Sequence, residues 1–187
     1  MKLKTVCIIG LFFFVTSYAL FAQGPEFIFS QKPIDFAHTF NLIGGVLLIA
    51  FNYVFPKNTI TKVASVITIL GVIGHIGLCA IDFVIWSYGE DIVAREAFQS
   101  HIGNSPFLYY TFIVIAPTLF FIGLSLHGWN FIKKHPIPSL ITILGPIGIG
   151  YAYFGLQNLT YATLSCVVFA LGLILLLFRE KTNFNIL

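Results

Sequence analysis

From Leu108 to Phe131 the chain carries no Asp, Glu, Lys or Arg, and an apolar run of that length leaves few structural options. About 20 such residues cross a bilayer as a helix. Inside lipid no water satisfies free backbone N–H and C=O groups, so the run must close its own hydrogen bonds. Six stretches of this kind follow one another, over residues 5–22, 36–55, 62–88, 107–132, 137–156 and 160–178. None shows the alternation of an outer-membrane strand. The expected fold is all-α, a polytopic membrane bundle in which residues 1–187 form a single transmembrane domain. Only 9% of residues are charged, against about 25% in soluble domains, which leaves no room for a separate water-soluble domain.

Charge placement orients the bundle. With Met1 in the cytoplasm, the inner side holds Lys2, Lys4, Lys57, Lys62, Lys133, Lys134, Arg179 and Lys181, and the outer side holds only Lys32 and Arg95. This asymmetry places both termini in the cytoplasm of a multi-pass protein of the plasma (inner) membrane. Glu26, Asp35, Glu90, Asp91 and Glu96 fall outside, and Asp82 is left within a crossing. The first stretch also has the form of a signal sequence, with Lys2 and Lys4 ahead of Val6–Leu20 and Ala22 before Gln23. Leu20 is larger than the residue a cleavage site prefers at that point, so a retained helix is expected; cleavage would leave five crossings. The outer connection 89–106, where Ile92, Val93, Ala97 and Phe98 allow one short interfacial helix, reads as an ordinary surface loop, with a lid over the outer face of the bundle as the alternative.

An internal repeat shows in the letters. Ser65–Gly74 reads SVITILGVIG and Ser139–Gly148 reads SLITILGPIG, identical at eight of ten positions. The preceding crossings also correspond, through Ile43–Gly44 and Ile122–Gly123, and Leu171–Gly172 is a fainter third instance. The pattern predicts tandem helical hairpins, each turning through an inner loop bearing Lys and Pro. Gly71 and Gly74, like Gly145 and Gly148, share a helix face and predict close helix contacts. Pro117 and Pro146 inside crossings predict bends, which often line cavities.

A charged side chain in the bilayer costs at least about 2.5 kcal/mol, so each one needs a reason. Asp82 lies roughly 9 Å below the outer end of its helix. His75, Cys79, Asp82 and Trp86 fall on one face of that helix, and Asp35, His38 and Asn41 on one face of the crossing before it. Tyr109 and Tyr110 at the start of the fourth crossing, and Tyr151 and Tyr153 near the end of the fifth, stand near the same outer level. If these faces converge they make an outward-facing polar pocket with aromatic walls. Asp35, His38, His75 and Asp82 supply nitrogen and oxygen ligand types, but His75 and Asp82 are about 10 Å apart along their helix and no HExxH or CxxC spacing accompanies them. No metal and no cofactor is therefore expected.

The chain carries no GxSxG elbow, no phosphate-binding glycine loop and no Lys/Arg cluster that suits nucleic acid. His127, Trp129 and the Lys133–Lys134–His135 turn form a basic, aromatic collar at the inner face that suits anionic lipid head groups. The functional expectation is a protein that binds or moves a small molecule, lipid or proton through the pocket around Asp82. The alternatives are a small intramembrane enzyme, such as a lipid hydrolase, using the His/Asp cluster, and an accessory subunit of a membrane complex. Expected partners are membrane lipids, a small-molecule ligand, and a second copy or another membrane protein, with no nucleic acid.

Overall fold

The computed structural model describes residues 2–179; Met1 and Lys181, which enter the topology argument above, lie outside the described residues. Within that range six helices are long and apolar enough to cross a membrane. They are α1 (Leu3–Phe21), α3 (Phe36–Val54), α4 (Thr59–Ser87), α6 (Pro106–Trp129), α7 (Pro136–Gly155) and α8 (Leu159–Arg179). Two short helices, α2 (Pro25–Ser30) and α5 (Ile92–Asn104), connect them at one end. That end carries Glu26, Asp35, Glu90, Asp91 and Glu96 and is called here the acidic end. The opposite, basic end carries Lys2, Lys57, Lys133 and Lys134.

Local chemistry sets the boundaries. The α4 helix begins three residues earlier than apolarity alone suggests, because Asn58 and Thr61 cap it reciprocally: each side chain accepts the other's backbone N–H. Asp35 caps α3 through the His38 N–H and Asp91 caps α5 through the Ala94 N–H. Pro106 and Pro136 open α6 and α7, where a missing N–H costs nothing. Inside α6, Pro117 cannot donate to the turn before it. The helix widens to a π turn over Tyr109–Ile115, and the Thr118 hydroxyl donates to the Val114 carbonyl at 2.6 Å. A second π turn, Tyr151–Gly155, ends α7 beyond Pro146.

The six long helices stand in a ring in the order α3, α1, α8, α7, α6, α4, which closes on α3. Lipid tails are as apolar as leucine, so what holds such a ring is close packing rather than exclusion from water. The inner wall is aromatic: Phe14 of α1 meets Phe120 at 5.5 Å and Phe121 at 6.1 Å between ring centroids, and Phe121 meets Phe169 of α8 at 5.6 Å. The first helix is thus part of the core, with Cys7, Leu11, Phe14 and Ser17 buried. The Lys4 ammonium donates to the Leu177 carbonyl at 2.8 Å, tying the start of α1 to the last turn of α8.

The tightest helix pairs are α1–α3, α4–α6 and α7–α8, which are joined across the acidic end. The hairpin pattern in the sequence placed the turns at the basic end instead. Both arrangements share the same helices, but the backbone contacts form where glycine permits them. A Cβ on Gly71 would overlap the Phe120 backbone, and one on Gly145 would overlap the Phe169 backbone. Gly74 lies against Ala116 and Gly123 against Thr68, while Gly148 lies against Ser165 and Gly172 against Thr142. The matching segments of α4 and α7 therefore make matching contacts on α6 and α8.

Candidate functional site at the acidic end

Asp35, the capping residue of α3, is 2% exposed and uses both carboxylate oxygens on His38. Oδ1 accepts the His38 backbone N–H at 3.0 Å, and Oδ2 makes a short hydrogen bond with the ring Nδ1. A ring held through Nδ1 has one orientation, and Nε2 then faces Oδ2 of Asp82 across the α3–α4 boundary at 3.8 Å. That is an ion-pair separation, longer than a direct hydrogen bond. Phe21 packs on the imidazole at 4.8 Å and Phe83 at 6.2 Å. Asp82 keeps 25% of its side-chain surface accessible and accepts no direct hydrogen bond among the described residues. A carboxylate, an imidazole and a second carboxylate thus stand in line, the outermost with free acceptor capacity.

His38, Asn41 and Asp82 line a cavity of about 830 Å³. Its polar end sits under α2 and α5, which contribute Phe29 and Gln99. The 89–106 connection forms α5, which is mostly exposed and reaches the cavity through Gln99. From there the space runs between α6 and α7 toward the basic end, past Pro117, Phe121, Pro146 and Ile147 as far as Trp129. Both intramembrane prolines line it. The walls along this length are almost wholly apolar. Ile122, Ile147 and Phe154 are each more than 40% exposed, so the space opens sideways between α6 and α7 into what a bilayer would fill with lipid.

The remaining sequence candidates sit elsewhere. His75 is buried in the α3–α4 contact, where Gly45 makes room for it; its Nε2 donates to the Asn41 carbonyl at 3.2 Å and its ring stacks on Phe120 at 5.4 Å. It holds α3 against α4 and so positions His38 opposite Asp82, but it does not line the cavity. Trp86 donates through Nε1 to the Ile28 carbonyl at 3.2 Å and carries Lys32 over its ring, anchoring α2. Tyr109 packs edge-on against Tyr110, and Tyr151 is 64% exposed on the outside of the ring. Tyr153, expected at the same level and lying in the π turn that ends α7, does line the cavity. Tyr153 lies within electrostatic reach of Asp82. Among the described residues no three His, Cys, Asp or Glu side chains converge as a metal site requires.

Sequence reasoning missed Tyr18, Phe29 and Gln99 on the cavity wall. Phe29 and Gln99 lie on connections too polar to count as crossings, and only their flanking apolar residues signalled a buried face. At the basic end, His127 is wholly buried rather than part of an accessible collar. Its Nε2 meets Asn52 Oδ1 at 2.8 Å, and Asn58 Nδ2 donates to Asn130 Oδ1 at 2.6 Å. These bonds join α3 and the start of α4 to α6. Among known proteins, no family model, no curated protein and no solved structure matches the chain.

Proposed function

We propose that this integral membrane protein binds an amphiphile drawn sideways from the bilayer, with the tail between α6 and α7 and the polar head at His38 and Asp82. One observation carries the reading: the cavity is apolar and laterally open along most of its length and ends on an ionisable pair. Sites of roughly 300–1,000 Å³ that are mostly apolar with a few placed polar groups are the usual form of small-molecule pockets. In this reading the basic end faces the cytoplasm of a plasma (inner) membrane, as the Lys/Arg asymmetry supports. The parallel glycine contacts of α4–α6 and α7–α8 support a tandem duplication, with the cavity between the two copies.

The test is native mass spectrometry of the protein released from lipid nanodiscs. A bound lipid or amphiphile is expected on the wild-type chain and is expected to be lost in Ile147→Trp, which fills the space between α6 and α7. A wild-type protein that always emerges empty overturns the reading.

The Asp35–His38 hydrogen bond favours one other reading, a small intramembrane enzyme. An imidazole oriented by a buried carboxylate is the arrangement of a general base. It would activate water against an ester of the held amphiphile. Turnover of a bilayer ester that disappears in His38→Ala is its signature, and inert bilayers over a day of incubation count against it.

A further inference from the structure

We infer that the head group this cavity selects is cationic, an ammonium carried on a long apolar tail; this rests on the amphiphile reading above and specifies its ligand. The first argument is charge. The acidic end bears Glu26, Asp35, Asp82, Glu90, Asp91 and Glu96 against only Lys32 and Arg95. Both of those cations are occupied: Lys32 lies over the Trp86 ring at 5.9 Å, and Arg95 stacks on Phe29 at 3.9 Å and donates to the Gly89 carbonyl at 3.3 Å. Neither lines the cavity. At its polar end the cavity meets Asp82 and, behind His38, Asp35. Two carboxyl groups stand there against one imidazole, an excess of acid over base that leaves a residual negative charge when both carboxyls are ionised. In the low-dielectric surroundings of a membrane bundle that residual charge favours a positive head group and repels a phosphate or carboxylate.

The second argument is shape and surface. Asp82 has accessible side-chain surface and no direct hydrogen bond among the described residues, so a ligand cation can pair with it without breaking an existing contact. Close to this point are Phe21, packed on the His38 ring at 4.8 Å, and Tyr153, and Tyr18 lines the same cavity. Aromatic faces attract ammonium groups through their quadrupole, most strongly where water is excluded. A carboxylate at the end of an aromatic sleeve is what an alkylammonium head requires, and the α6–α7 groove is what its tail requires.

The experiment uses the full chain in nanodiscs doped with three probes of equal tail: hexadecyltrimethylammonium, hexadecanol and hexadecyl phosphate, at equal amounts. Native mass spectrometry reads which adducts the released protein holds. The expected result is enrichment of the ammonium probe by about tenfold or more over the other two. In Asp82→Asn that enrichment should fall to near parity, and Asp82→Glu should keep most of it. Equal retention of hexadecanol or hexadecyl phosphate by the wild type overturns the cationic selectivity and leaves the amphiphile reading standing. Failure to hold any of the three, with Ile147→Trp indistinguishable from wild type, overturns the amphiphile reading itself. The wild-type ordering decides the matter even if Asp82→Asn does not fold.

Discussion

His38 Nε2 stands 3.8 Å from Asp82 Oδ2, and it does so because Asp35 holds the opposite ring nitrogen. One residue thus caps α3 and aims its imidazole across to α4. Asp35→Ala removes both actions. Loss of the cap costs about 1 kcal/mol, and loss of a charge-assisted hydrogen bond adds about 1.5–3 kcal/mol. The expected outcome is a clear drop in the thermal unfolding midpoint in mild detergent. Asp35→Asn keeps the cap, so it should unfold closer to wild type while still releasing the ring. Equal midpoints for Asp35→Ala and wild type would show that the α3 terminus is held by something other than this carboxylate.

Gly71 and Gly145 should be equally intolerant of a methyl group. In each the added Cβ meets backbone of the facing helix, at Phe120 and at Phe169, and backbone cannot swing aside as a side chain can. Overpacking of this kind costs typically about 1–3 kcal/mol. Gly71→Ala and Gly145→Ala are therefore expected to lower stability by similar amounts in steric-trap or denaturant unfolding. A Cβ on Gly103 in α5 would meet nothing within 4 Å, so Gly103→Ala should be neutral or slightly stabilising. A tolerated Gly145→Ala beside a damaging Gly71→Ala would break the parallel between the two helix pairs.

The crossings were legible because apolar length is a direct physical requirement of the bilayer, and α4 strayed only where Asn58 and Thr61 added a polar cap. The pairing of Asp35, His38 and Asp82 was partly legible: helical spacing put each group on a face, and depth put them at one level. What spacing does not carry is the turn of one helix about its axis relative to the next. His75 shares its helix face with Asp82, yet the small residue at Gly45 draws its ring into the α3–α4 contact. Of the two tyrosines expected at this level in α7, Tyr153 lines the cavity and Tyr151 does not, and spacing two residues apart on a helix that ends in a π turn does not say which. The placement of α2 and α5 was least legible, since it depends on the Trp86–Ile28 hydrogen bond and on Arg95 over Phe29, contacts between distant parts of the chain.

At the basic end, His127 and Asn52 should show measurable but modest coupling. Their 2.8 Å hydrogen bond joins α6 to α3 with His127 wholly buried, and the other ring nitrogen has no partner among the described residues. Interhelical hydrogen bonds in membranes average about 0.6 kcal/mol and reach at most about 1.7 kcal/mol, because the separated helices find other partners. A double-mutant cycle with His127→Phe and Asn52→Leu should return a coupling in that range. A value near zero would assign the stability of this junction to the Asn58–Asn130 bond and to the packing of Phe55 on the His127 ring, centroids 5.7 Å apart.

Orientation can be read with single cysteines, because the native ones do not interfere: Cys7, Cys79 and Cys166 are free and fully buried. Glu96 lies on α5 and Lys133 in the α6–α7 turn, at opposite ends of the bundle. If the basic end is cytoplasmic, a membrane-impermeant maleimide added to intact cells should label Glu96→Cys and leave Lys133→Cys unmodified until the cells are opened. Glu96 faces solvent and makes no hydrogen bond or ion pair among the described residues, so its replacement should not disturb the fold. Asp91→Cys would be a poorer probe, since it removes the cap of α5. The reverse labelling pattern would place the ionisable pair at the cytoplasmic face, and the amphiphile would then enter from the inner leaflet.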